Sequence, residues 1–97
     1  MKYKITPFSS SEKFSLELHD FTPEGGYELF LQRFCQFAEE SFFDWFQGVQ
    51  SGIGHITYLG TTLTVVWNDF PQSFSFDCSS EKLAVSLQSQ LEQFLQN

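Results

Sequence analysis

The sequence predicts an α+β fold, a two-layer sandwich in which a mainly antiparallel sheet of about five strands carries two helices on one face. Three observations predict it. Several short stretches alternate apolar and polar residues, two longer stretches carry apolar stripes at helical spacing, and thirteen phenylalanines stand among only 97 residues. The expected order is ββα, then three or four strands, then α. One domain, residues 1-97, accounts for the whole length. A chain of this size buries about 60–65% of its unfolded surface. Each buried Phe contributes about 1.5–3 kcal/mol, so the rings supply much of the driving force.

Each element has its own signal. Tyr3 and Ile5 alternate with lysines and suggest a short first strand, and Ser9-Ser10-Ser11 reads as a turn. Phe14, Leu16 and Leu18 alternate with Ser15, Glu17 and His19, the pattern of a half-buried strand. Thr22-Pro23-Glu24 reads as a helix start, with Thr22 as N-cap and Pro23 at the first helical position. Tyr27, Phe30, Leu31, Phe34, Phe37 and Ala38 then follow at helical spacing.

Residues 41–47 fit two readings. Phe42, Trp45 and Phe46 could extend the helix to a C-cap at Gly48, but a helix of about 25 residues is long against the usual 8–20. A strand over Phe42–Gln47 is preferred. It would turn Phe43 and Trp45 one way and Phe42 and Phe46 the other.

Ile53–Leu59 and Thr62–Trp67 are rich in β-branched and aromatic residues, with Gly60-Thr61 between them. A Gly-X loop suits a type II′ hairpin. That register pairs Tyr58 with Leu63, Ile56 with Val65 and Gly54 with Trp67 on the core face, the Trp67 indole covering the glycine. His55 would stand opposite Val66. Asn68-Asp69-Phe70-Pro71 reads as a turn. Phe74, Phe76 and Cys78 mark a last strand. Ser79 or Ser80 caps a final helix whose apolar stripe is Leu83, Leu87, Leu91, Phe94 and Leu95. Ser15, Glu17, His19, His55, Thr57, Thr64, Ser73, Ser75 and Asp77 are left for an open, wet sheet face.

Composition excludes several function classes. Hydrophobic residues make up 41% and charged residues 18%, a globular balance rather than a disordered one. Twelve acidic residues against five basic ones give a net charge of −7. Lys2, Lys4, Lys13, Arg33 and Lys82 form no cluster, so nucleic acid is not an expected partner. The same field disfavours anionic membrane surfaces, and no run approaches about 18 apolar residues. The first residues contain no apolar core of a signal peptide. Cys35 and Cys78 are too few for a disulfide framework, and a cytoplasmic protein with reduced thiols is expected.

No catalytic or cofactor motif stands out. His19, Cys35, His55 and Cys78 show no CxxC, HxxxH or HExxH spacing, so neither a metal nor any other cofactor is expected. Gly48, Gly52 and Gly54 do not lie between a strand and a helix, as a dinucleotide fingerprint would require. No Walker A or G-x-S-x-G sequence occurs. Cys78 precedes a helix N-terminus, where the dipole can activate a thiol, but a core-facing position beside Phe74 and Phe76 is the simpler reading. His55 is a solvated strand histidine or a general base, and no partner carboxylate is evident. The aromatic surplus at residues 42–46 carries more weight, because one strand cannot turn every ring into one core.

The stretch Trp45-x-x-Gly48, His55, Gly60 and Trp67, followed by the Phe74/Phe76 strand and a closing helix, resembles a family of small uncharacterised bacterial proteins over roughly the C-terminal half. That resemblance implies a small bacterial cytoplasmic protein. It implies no activity and no site residue.

Two functions follow from the residues. The first is a non-enzymatic protein-interaction module, working on a protein partner or as a homodimer, with Phe42, Phe43, Trp45 and Phe46 as the candidate interface. The alternative is a small-molecule-binding domain or minor enzyme with His55, Trp45, Trp67 and Asp69 around a pocket at one sheet end.

Overall fold

The computed structural model describes residues 2–7, 14–70 and 72–96. The order is β1 (Lys2–Pro7), β2 (Phe14–His19), α1 (Tyr27–Ala38), β3 (Ser41–Gln47), β4 (Ser51–Tyr58), β5 (Thr61–Asp69), β6 (Gln72–Cys78) and α2 (Glu81–Gln96). The Ser9-Ser10-Ser11 turn and Pro71 lie outside the described residues.

All strands join one antiparallel sheet of six, in the order β1-β2-β6-β5-β4-β3. The fold is thus the expected α+β sandwich, with four strands between the two helices. Leu16 and Leu18 of β2, Phe74, Phe76 and Cys78 of β6, Leu63, Val65 and Trp67 of β5, and Ile56 and Tyr58 of β4 share the covered face. Phe30, Leu31 and Phe34 of α1 and Leu83, Leu87 and Leu91 of α2 complete this core. α1 lies over the β3 side, and α2 over β1, β2 and β6.

The first helix starts later than Thr22-Pro23-Glu24 suggests. Gly25 and Gly26 hold φ of 86° and 95°, outside the helical range, and the Gly26 N–H donates to the Pro23 carbonyl at 3.1 Å. Pro23 therefore opens a turn, and α1 begins at Tyr27 with no side-chain cap. α2 behaves as expected: Ser80 is its N-cap, and the Ser80 hydroxyl accepts from the Leu83 N–H at 3.1 Å.

The β4–β5 hairpin turns two residues away from its expected register. Leu59 and Gly60, with φ of 50° and 78°, form the two-residue loop, as a type I′ turn requires. Tyr58 therefore pairs with Thr61, Ile56 with Leu63, His55 with Thr64 and Gly52 with Trp67. Because the slip is even, every side chain keeps its expected face.

Candidate functional site

Phe37, Phe43, Phe46 and Phe70 are the exposed aromatic residues among those described, and two of them, Phe43 and Phe46, lie together on β3, an edge strand of the sheet. Its start is fixed by the end of α1. Glu39 takes the left-handed conformation, and the Glu39 and Glu40 N–H groups donate to the carbonyls of Gln36 and Cys35 at 3.3 and 2.8 Å. This is the Schellman pattern, built here without glycine. The Glu40 carboxylate then accepts from the Leu59 N–H at 3.0 Å, which ties the entry of β3 to the β4–β5 turn.

Between Phe42 and Asp44 the register shifts, leaving Phe43 as an extra residue. Phe42 faces Ile56, Asp44 faces His55, Trp45 faces Gly54 and Phe46 faces Ile53. This β-bulge corrects the simple alternation. Phe42 and Trp45, three apart, both turn to the core, whereas Phe43 and Phe46 are 59% and 66% exposed. The four candidate interface residues thus divide into two packed and two exposed.

Glycines make room for Trp45. A Cβ on Gly52 would come within 2.5 Å of Cζ2 of the indole, and one on Gly54 within 2.6 Å of Cε3. The ring therefore lies flat over both glycines. It was Trp67 that the expected register placed over Gly54, and Trp67 instead stands opposite Gly52. The Trp45 indole N–H donates to Gln47 Oε1 at 2.9 Å, which holds the end of β3.

The four candidate pocket residues do not surround one cavity. Trp45 and Trp67 are buried and both stack on Tyr27, with ring centroids 6.1 and 5.2 Å away. Burial raises the Tyr27 hydroxyl above its ordinary pKa. A hydrogen bond from Gln72 offsets this in part, and nearby Asp69 adds to it. His55 stands across the sheet, on the open face.

There His55 meets a partner that sequence reasoning missed. His55 Nδ1 and Asp44 Oδ1 are 2.7 Å apart, both side chains partly exposed. The bulge is what brings Asp44 opposite His55, so only a β3–β4 register that includes it reveals the pair. A carboxylate that fixes one ring nitrogen leaves the other for an acceptor or a proton. Among the described residues no hydroxyl or thiol hydrogen-bonds to His55. Phe46, Ile53 and Val66 extend beside it along the same face and border a shallow open groove. Ile53 is 44% exposed.

Both cysteines are free and buried. Burial first, and then Glu40 beside Cys35 and Asp77 beside Cys78, push each thiol up to about 11. At neutral pH they are protonated packing groups, so the helix dipole does not activate Cys78. Among the described residues no three His, Cys, Asp or Glu side chains converge as metal ligands. Among the described residues no helix is long and apolar enough to cross a membrane. No family model matches the chain, nor does any curated protein or solved structure.

Proposed function

We propose that the chain is a non-enzymatic protein-interaction module whose contact surface is the β3 edge and the adjoining open face. The observation that carries this reading is the exposure of Phe43 and Phe46 on a strand whose only sheet neighbour among the described residues is β4. Surface aromatic residues concentrate in interface cores, and an open strand edge offers backbone donors and acceptors to a partner. The two free thiols fit a reducing compartment such as the cytoplasm.

The test is selection of peptides from a displayed random library on the wild-type chain. A counter-screen uses Phe43→Ser/Phe46→Ser, shown by circular dichroism to be folded. Peptides that bind the wild type and lose the variant are expected. Selection of no binder, or of binders that the variant holds equally well, overturns the reading. So does unfolding of both single serine variants, which would make the rings structural.

A further inference from the structure

We infer that the β3 edge takes a cationic, extended segment of another polypeptide as a seventh strand, rather than a second copy of this chain. The inference rests on the interaction reading above and names its partner.

Charge is the first argument. Residues 34–81, which contain all of β3, β4, β5 and β6, include six acidic residues and no lysine or arginine. Nearly all of the net charge of −7 therefore arises in this stretch. The basic residues lie on the other side of the sheet, in the helices or at residue 13. A two-fold contact brings the same patch to both partners. Antiparallel pairing of β3 with its own copy would add a second set of Glu39, Glu40 and Asp44 to the edge, with Asp44 beside its equivalent when the two-fold axis passes there and no lysine or arginine from residues 34–81 between them. A basic segment meets the same carboxylates with attraction, and long-range attraction also speeds encounter.

Geometry is the second argument. β3 contains no lysine and no proline, the residues that commonly blunt an edge. An added strand places alternate side chains on the open face, where they would meet Asp44 and then Phe46, two residues on. A basic side chain suits the first and an apolar one the second. Phe46, Ile53 and Val66 line an open groove beside this edge, and a strand added to the free edge would lay its open-face side chains along it.

The experiment uses two fluorescein-labelled peptides, KTVKTVKTVK and ETVETVETVE, which differ only in the sign of their charge. Anisotropy should report binding of the lysine peptide and none of the glutamate peptide. The affinity should weaken about tenfold between about 20 and about 200 mM salt as screening sets in. Hydrogen exchange should slow in Ser41–Gln47 on binding and stay unchanged in Lys2–Pro7. Phe46→Lys, which adds a like charge to the face, should lose at least about tenfold in affinity, or about 1.4 kcal/mol. Three results overturn the inference: no binding, equal binding of both peptides, or protection at β1 instead. A wild-type dimer by light scattering, with β3 protected before any peptide is added, also overturns it but leaves the interaction reading standing. If neither self-association nor peptide binding responds to Phe46→Lys, both fall.

Discussion

At one edge of the sheet, β1 carries Lys2 and Lys4 and ends on Pro7, with Lys4 in register with Glu17 of β2. At the other edge, β3 carries Phe42, Phe43, Trp45 and Phe46, and its one guard is the bulge at Phe43. Lysine and proline make pairing with a further strand costly, whereas a bulge merely interrupts it. Two edges of one sheet thus face solvent under different rules. The first has lysines at two of its six positions and a proline at its end. The second spends two aromatic residues on packing and leaves two outside. Stability of the fold requires only the packed pair, so the exposed pair calls for a separate explanation.

The sharpest way to break this contrast is to remove the ring that fixes β3. Trp45→Ala should cost about 3–5 kcal/mol, because a large buried side chain is lost and the two glycines beneath it are left uncovered. Urea denaturation measures the loss. Amide exchange should accelerate first along β3 and its hairpin partner β4, with β1 and β2 protected until global unfolding. A cost below about 1 kcal/mol would show that Trp45 is not what anchors the edge.

That anchor was only partly legible beforehand. Period-two alternation placed β2, β5 and β6, and helical spacing placed both helices, because burial on one face forces those periods on any sequence. The covered-face residues of β4 and β5 were correct even though the register was not. The slip was an even one, and it arose because the turn puts Leu59 in a left-handed conformation that a reading by propensity reserves for glycine or asparagine. The bulge at Phe43 left no local mark at all. It follows from tertiary demand: Phe42 and Trp45 must both reach the core, and a plain strand cannot turn residues three apart to one side. The Asp44–His55 pair depends on that bulge and was hidden with it. Pro23 misled for a nearer reason, since the Gly25-Gly26 pair two residues on stops the helix from starting before Tyr27.

Alkaline pH probes whether the two halves differ in core as well as in edge. Cys35 lies in α1 over the β3 side, and Cys78 stands opposite Phe14 of β2 on the other. Each thiol ionises near 11 when folded, against an ordinary value of 9.0. Above pH 9 the unfolded chain therefore holds fewer protons than the folded one, and stability falls as pH rises. The contribution is intact below pH 9 and lost progressively between about 9 and 11, by about 2 kcal/mol for each thiol. In a series of denaturation curves, Cys35→Ala and Cys78→Ala should each remove a similar share of the slope that sets in above pH 9, leaving in the double variant only the later loss above pH 10 that the raised Tyr27 hydroxyl contributes. A slope below pH 10 that survives in the double variant would assign the effect to other groups.

The turns that frame β3 and β4 offer a gain instead of a loss. Glu39 and Leu59 both hold positive φ, which is unfavourable for residues with a Cβ. Glu39→Gly should stabilise the fold by about 1 kcal/mol through the Schellman turn. Leu59→Asn, which creates the favoured Asn-Gly pair of a type I′ loop, should add about 0.5 kcal/mol. Midpoints of urea denaturation should rise in both variants. Leu59→Asn leaves the exposed rings and the carboxylates intact, so binding at the β3 edge should stay constant, whereas Glu39→Gly also removes one carboxylate and should weaken binding of the lysine peptide slightly. A loss of binding in Leu59→Asn would tie the site to the β4–β5 turn.

The smallest expected effect on stability carries the most information about the comparison. Phe46→Lys gives β3 the kind of residue that β1 already has. Phe46 is 66% exposed and turns away from the core, so the folded state should change by less than about 0.5 kcal/mol. If the exposed aromatic pair is retained for contact, this variant keeps its circular dichroism, its denaturation midpoint and its fast exchange along β3, yet loses whatever the wild-type edge binds. If instead it unfolds, Phe46 is packed by something its exposure does not reveal, and the two edges differ in structure rather than in purpose. A folded variant whose binding is unchanged would place the contact elsewhere, and would reduce the aromatic edge to an unguarded strand held apart from others by its charge.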